Sequence, residues 1–555
     1  MADAKKVLFS KLATEFLGTL FLSFTIATAA GQGAELAPIA IGFTLTCAVY
    51  AGGHVSGSHY NPAVTLAVAL RGKAGSALDI VGYLASEFAG AATGAAIATV
   101  FDGGIGYPDV AGSKLKALAA EIILTAALTN TVLNVATSTK TAGNDFFGLA
   151  IGCTVLSGAI SVGGVSGGCF NPAIAMLCII RGDLGNVPIY ICGPAFGGTV
   201  GALLFRLTAD DEFTSKPKVP ELVRATIVEF WGTFMLCFTV ACAASPENGS
   251  GGLAALSIGM MLMAQVFTGG AVSGANYNPA VTTAVLVRFQ TAGFGPACKK
   301  IRASFSLRKA ACYYVAQCVA SLLAGTLATW IFDGNHGFPY PAAGVSAGQA
   351  FVAELMATFF LTYVVLHSAT AASNAGNNFF GVAIGFTVAS MAVTVGGISG
   401  GCFNPAVALL GLIGAGGADR SKIWVYWVAC PLAGALAGLT FRIQVFGDFE
   451  CGASAEIPRN QHALMEYDDA TQAHHAYFAE NADVPRPGVK YVKGGLVNTT
   501  RADATSGNTD NPVGSDAPAA EESKQGGVEL TSIETSAAET NELSVLENDS
   551  AATAV

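Results

Sequence analysis

Long apolar stretches separated by short polar gaps run along this chain from residue 10 to residue 446. They lie near 10–31, 37–53, 79–101, 116–138, 147–163 and 187–207. A second set lies near 222–244, 253–270, 309–332, 350–371, 379–396 and 422–446. Most approach the ~20 apolar residues that an α-helix needs to cross a bilayer. The pattern therefore predicts an all-α membrane protein with twelve spans. It also breaks at four places: Asn61-Pro62-Ala63, Asn171-Pro172-Ala173, Asn278-Pro279-Ala280 and Asn404-Pro405-Ala406. An unpaired backbone N–H or C=O in hydrocarbon is costly, so such breaks persist only where the freed backbone lines a cavity. Four regular breaks predict polar cavities inside the bundle.

The breaks belong to a repeat within a repeat. A glutamate stands in four of the spans: Glu15, Glu121, Glu229 and Glu354. The next asparagine of an Asn-Pro-Ala tripeptide follows after 46, 50, 49 and 50 residues. Each unit is thus three apolar elements and one half-length segment after the tripeptide. Three spans per unit is an odd number, so consecutive units enter the membrane in opposite senses, as an inverted repeat. Two units make a half, and two halves make the apolar region. NYNPAVTTAV at 276–285 parallels HYNPAVTLAV at 59–68, and GGISGGCFNPAVA at 396–408 parallels GGVSGGCFNPAIA at 163–175. The second half has 16 further residues between its first tripeptide and its next glutamate, including the basic run KKIRASFSLRK at 299–309.

Composition agrees with the pattern. The chain is 52% hydrophobic and 12% charged, with mean hydropathy +0.53; a soluble domain carries about 25% charged residues. Residues 1–30 read as the first span rather than a signal peptide, because Glu15 lies within them and 222–244 is their counterpart. The net charge of −10 divides unevenly: residues 451–555 hold 17 acidic and 6 basic residues, and the first 450 hold 21 and 22. The tail, rich in Ser, Thr, Ala, Asn and Glu, is expected to be disordered from about 498 onward and gives no sign of a nucleic-acid partner. Lysine and arginine outside the tail concentrate on the side of the N-terminus. Only Lys114, Lys116, Arg181, Arg420 and Lys422 fall on the other. That bias places both termini in the cytoplasm. The 13 cysteines lie mostly in apolar segments without metal-ligand spacing and read as buried free thiols.

Proline suits the first position of a helix, and asparagine just before it is a preferred N-cap. Each tripeptide followed by apolar residues therefore reads as the start of a half-helix. In an inverted repeat two such half-helices meet N-terminus to N-terminus near the midplane. Their free N–H groups and positive dipole ends point at the centre, with each asparagine amide free to donate to a solute. Positive ends there repel cations and protons. The geometry suits a neutral, hydrogen-bonding solute.

The tripeptides, their glutamates and the contexts SGSHYNPAVT (56–65) and GGCFNPA together resemble the aquaporin and glyceroporin (major intrinsic protein) family over residues 7–207 and 221–446. The resemblance implies two fused aquaporin-like bundles, each with six transmembrane helices, two re-entrant half-helices and its own pore. It divides the chain into channel domains at 1–207 and 221–446, a cytoplasmic linker at 208–220 and an acidic tail at 447–555. The family's usual four pores per assembly would here require a homodimer. The departures are informative. The family usually places arginine after the second tripeptide, where this chain has Ile174 and Val407. The remaining selectivity-filter positions align with Ile41, Ala159 and Gly168 in the first half and Ile258, Ala392 and Gly401 in the second. Both filters are expected to be wide, apolar and uncharged, which suits small uncharged solutes beyond water, such as polyols, urea or ammonia.

Several polar groups have two readings. Glu15, Glu121, Glu229 and Glu354 could relay protons, but their fourfold repetition favours anchoring the re-entrant loops. Glu87 has Gln317 as its counterpart, and His59 has Asn276; each could gate a pore or merely satisfy local hydrogen bonds. Cys169 and Cys402 could face the pores or pack. Gly90-xxx-Gly94 and Gly434-xxx-Gly438 read as helix-packing faces. A secondary transporter and a closed-pore junctional or scaffolding protein are alternatives to a channel. No nucleophile–base or metal constellation suggests an enzyme, and no cofactor is implied.

Overall fold

The computed structural model describes residues 2–101, 105–291, 301–413, 420–445, 490–492 and 495–497. The first bundle runs through α1 (Ala2–Gly31), α2 (Ala37–Ser56), half-helix α3 (Pro62–Arg71), α4 (Ala77–Ala98), α5 (Lys114–Val132) and α6 (Phe147–Ser166). It closes with half-helix α7 (Ala175–Arg181), entered through a 3₁₀ turn at Pro172–Ile174, and α8 (Val187–Thr208). The second bundle repeats the order: α9 (Glu221–Ala243), α10 (Ala254–Ser273), half-helix α11 (Pro279–Gln290), α12 (Leu307–Ile331), α13 (Ala347–Val365), α14 (Phe380–Ser399), half-helix α15 (Pro405–Ala408) and α16 (Trp424–Gln444). The fold is two fused aquaporin-like bundles, and 12 helices among the described residues are long and apolar enough to cross a membrane. Every span expected from the apolar pattern is present. In the tail, β1 (Lys490–Val492) and β2 (Gly495–Val497) pair antiparallel, with Lys490 opposite Val497. The disorder expected from 498 onward lies outside the described residues, as do residues 292–300 of the basic insertion.

The inverted repeat is visible in the packing. α1 packs on α4 as α5 packs on α8, and α9 on α12 as α13 on α16. Glycine permits these crossings: a Cβ at Gly90 or Gly94 would lie 2.3 Å from the carbonyl oxygen of Phe16 or Leu20 on α1. At Gly434 it would lie 2.3 Å from the Ala280 carbonyl oxygen on α11. Small residues let helix backbones approach in lipid, where the apolar tails supply no hydrophobic drive. Two features had no signal in the apolar pattern: α5 and α13 each end in a π turn, at Leu133–Thr137 and Leu366–Thr370.

The bundles meet along α5 and α6 of the first and α9 and α10 of the second. Ser157 and Ser257 exchange hydroxyl-to-carbonyl hydrogen bonds of 2.8 and 3.0 Å. The Phe146 ring stacks on Phe267 with centroids 4.1 Å apart. Asn248 Nδ2 donates to the Ile160 carbonyl at 2.7 Å. The segment joining the bundles is tied down by two acids. Glu212 pairs with Arg71 at 2.5 Å and accepts from Ser138 and from the Thr139 amide, and Asp211 pairs with Lys140 and Arg224.

Candidate pores

Each Asn-Pro-Ala opens its half-helix by the expected capping chemistry. Asn61 has extended backbone (φ −160°) and its side-chain oxygen accepts from the Ala63 amide at 2.9 Å, with Pro62 at the first helical position. Asn171, Asn278 and Asn404 do the same toward Ala173, Ala280 and Ala406 at 2.8–3.0 Å. Facing half-helices are stitched to one another by reciprocal hydrogen bonds. Asn61 Nδ2 donates to the Phe170 carbonyl at 2.9 Å, and Asn171 Nδ2 to the Tyr60 carbonyl at 2.9 Å. Asn278 and Asn404 reach Phe403 and Tyr277 in the same reciprocal way, at 2.8 and 2.9 Å. The expectation of a fully free amide is thereby narrowed: each carboxamide has two N–H donors, and one is committed to the opposite loop.

The aromatic residue before each asparagine is the linchpin. Tyr60, Phe170, Tyr277 and Phe403 all hold φ of 51–52°, a left-handed region that bulky residues rarely occupy. The four glutamates compensate. Glu15 accepts from the Ser56 hydroxyl at 2.6 Å and from the backbone amides of His59 and Tyr60 at 3.0 and 2.6 Å. Glu121 bonds Ser166, Cys169 and Phe170, Glu229 bonds Ser273, Asn276 and Tyr277, and Glu354 bonds Ser399, Cys402 and Phe403. Each carboxyl is fully buried.

A cavity of about 170 Å³ lies within the first bundle and one of about 350 Å³ within the second, each reaching the paired asparagines. Asn61, Asn171, Ile41, Ala159, Gly168 and Ile174 all line the first. Asn278, Asn404, Ile258, Ala392, Gly401 and Val407 all line the second. Cys169 and Cys402 line them as well, each thiol donating to the carbonyl of the following asparagine, at 3.2 and 3.1 Å. No Asp, Glu, Lys or Arg lines either cavity among the described residues. Sequence reasoning missed the loops after α4 and α12, which bring Tyr107 and Pro108 to the first cavity and Phe338 and Pro339 to the second. Their signal was a Gly-aromatic-Pro repeated in both halves. The glycine amides, of Gly106 and Gly337, donate to Ala27 and Ala241 carbonyls at 2.8 and 2.7 Å and fold the loop inward.

The family model for major intrinsic protein matches residues 3–205 and again 214–441. Among curated relatives, "Aquaporin NIP1-3" of Oryza sativa subsp. japonica is 37% identical over 220 residues, 37% of this chain and 75% of that protein. "Glycerol uptake facilitator protein-like 6" of Lactiplantibacillus plantarum is 29% identical over 232 residues, 40% of this chain and 98% of that protein. Among solved structures, the aquaglyceroporin from Plasmodium falciparum covers 40% of this chain and 97% of its own at 22% identity and TM-score 0.34. With both halves matched in turn, the chain belongs to the major intrinsic protein family.

Proposed function

We propose that each bundle is a passive channel for water and small uncharged solutes of the glycerol, urea or ammonia class, giving two parallel pores per chain. The observation that carries this reading is the cavity lining. Apolar walls are interrupted by two facing asparagine amides, and no formal charge of Asp, Glu, Lys or Arg lines either cavity among the described residues. A solute must shed water to pass, and it is offered hydrogen bonds at the asparagines without an ion pair to trap it. Ile41, Ala159, Gly168 and Ile174 form the filter of the first pore, and Ile258, Ala392, Gly401 and Val407 that of the second. Glu15, Glu121, Glu229 and Glu354 anchor the re-entrant loops. Channel domains at 1–207 and 221–446, joined by a cytoplasmic linker at 208–220, place both termini on the basic, cytoplasmic side.

Stopped-flow measurement in proteoliposomes tests the solute class. Glycerol and urea should cross along with water; fast water flux with neither solute would overturn the reading. Ile174→Arg with Val407→Arg should lower glycerol flux by about tenfold, equivalent to ~1.4 kcal/mol of added barrier, while water still passes. Unchanged selectivity would mean that these positions do not form the filters.

A further inference from the structure

The two pores carry the same polar cluster beside their first asparagine, with different chemistry at two positions. In the second pore the cluster is built on amides. Gln317 Nε2 donates to Glu229 at 2.9 Å and to Thr282 at 3.0 Å, and Asn276 Nδ2 donates to Thr282 at 3.2 Å. In the first pore Glu87 stands for Gln317 and His59 for Asn276. The Thr65 hydroxyl donates to Glu87 Oε1 at 2.6 Å, so its oxygen is left to accept from His59 Nδ1 at 2.9 Å. Glu87 is fully buried and its Oε2 has no hydrogen-bond partner. Gln317 presents a donor to Glu229; Glu87 can present one only when its carboxyl is protonated.

Among the described residues, the elements packed around the cluster supply no cationic side chain to it other than His59. Glu15 faces the cluster from α1 and is fully buried, its oxygens occupied by Ser56 and the two loop amides. Tyr60 comes from the same loop as His59. Tyr83, one turn earlier on α4, stacks edge-on to His59 at 5.0 Å and donates to the Ser56 carbonyl. α3 contributes Thr65, and α7, also against α4, contributes Cys178, whose thiol is turned to the Pro108 carbonyl. Two buried carboxylates in one cluster are not both charged without a partner cation. His59 also lines the cavity, so it couples the cluster to the pore.

We infer that Glu87, Thr65 and His59 form a proton-binding site that sets the conductance of the first pore, and that the second pore has none. The inference rests on the channel reading above. With the proton on Glu87 the cluster reproduces the neutral donor pattern of Gln317, and the first pore conducts like the second. When the proton leaves to water, the Glu87 anion pulls on the Thr65 hydroxyl. Thr65 in turn draws the His59 ring, and the pore wall beside Asn61 shifts.

The test uses the full chain in proteoliposomes, with water flux followed across pH. Flux should fall as pH rises, losing the share carried by the first pore. Glu87→Gln, which installs the residue that the second pore already tolerates, should remove the step. Gln317→Glu should enlarge it. A wild-type flux that does not vary with pH, or a step that survives Glu87→Gln, overturns the inference. Absence of flux at every pH would instead count against the channel reading. Infrared pH-difference spectra then decide the proton site alone: a carboxylic-acid C=O band should appear on acidification and vanish in Glu87→Gln, and a band unchanged by that substitution overturns it.

Discussion

At the scale of the residue, the strained aromatic before each asparagine explains why a carboxylate recurs in an apolar helix. Phe170 spends its amide on Glu121 and its carbonyl on Asn61 of the opposite repeat, and so ties both units to one point. Removing the carboxylate by Glu121→Ala would leave the amides of Cys169 and Phe170 unpaired in a buried site. At ~1–3 kcal/mol per unmet group, a loss of about 2–6 kcal/mol in stability is expected. Glu121→Gln keeps one acceptor and should lose about half as much. Thermal unfolding in detergent checks this, and a wild-type melting temperature for the alanine variant would contradict it. In the segment between the spans that end at Thr208 and begin at Glu221, Asp211 supplies a pH dependence. Burial alone would raise its carboxyl, but the ion pairs with Lys140 and Arg224 outweigh burial and hold it below the usual carboxylate range. A carboxyl depressed by folding contributes stability above its unfolded pKa and loses that contribution as pH falls through the folded one. Protease cleavage of segment 208–220 should therefore accelerate on acidification below the ordinary carboxylate range. Asp211→Asn should cleave fast already at neutral pH; equal rates for the two proteins would remove this latch.

At the scale of the element, the spans were legible because a helix in lipid must be apolar over about 20 residues. The half-helices were legible because an Asn-Pro pair states both the cap and the first turn. The π turns at 133–137 and 366–370 were not, since such turns are rare and leave no signature in the apolar pattern. The loops carrying Tyr107 and Phe338 were missed because a short polar gap gives no hint of folding back into a cavity. Gly90 and Gly94 were legible as a packing face, and their partners, Phe16 and Leu20, came from the structure. Gly94→Leu has nowhere to put its side chain against the α1 backbone. Overpacking of this kind costs typically ~1–3 kcal/mol, so the variant should melt earlier and fold in lower yield. A melting temperature equal to wild type would mean that α1 and α4 separate freely.

At the scale of the whole molecule, the interface between the bundles uses one face of each and leaves the complementary pair open. Phe379, at the position of Phe146, is 51% exposed, and Tyr50, at the position of Phe267, is 40% exposed. Ser390 on α14 stands where Ser157 stands on α6. A second copy docked by α1 and α2 onto α13 and α14 would repeat the internal contact twice and close a ring of four pores, the closure expected of a two-fold assembly. The Tyr50→Cys, Phe379→Cys double variant should cross-link into covalent dimers in membranes, with little product from either single variant. A monomeric mass in native mass spectrometry together with no cross-link would contradict the ring. The serine ladder at the internal interface was not recognised in the sequence, because a few hydroxyls in an apolar helix look the same whether they face lipid or a partner.

Two separate cavities, one in each bundle, require that each bundle carry its own pore. The most direct test is solute flux in proteoliposomes with Ala159→Trp, Ala392→Trp, or both, each substitution placing an indole in the lining of one cavity at a proposed filter position. Either variant should remove part of the flux, and the double variant should abolish it. Complete loss from one substitution alone, or flux persisting in the double variant, would contradict it.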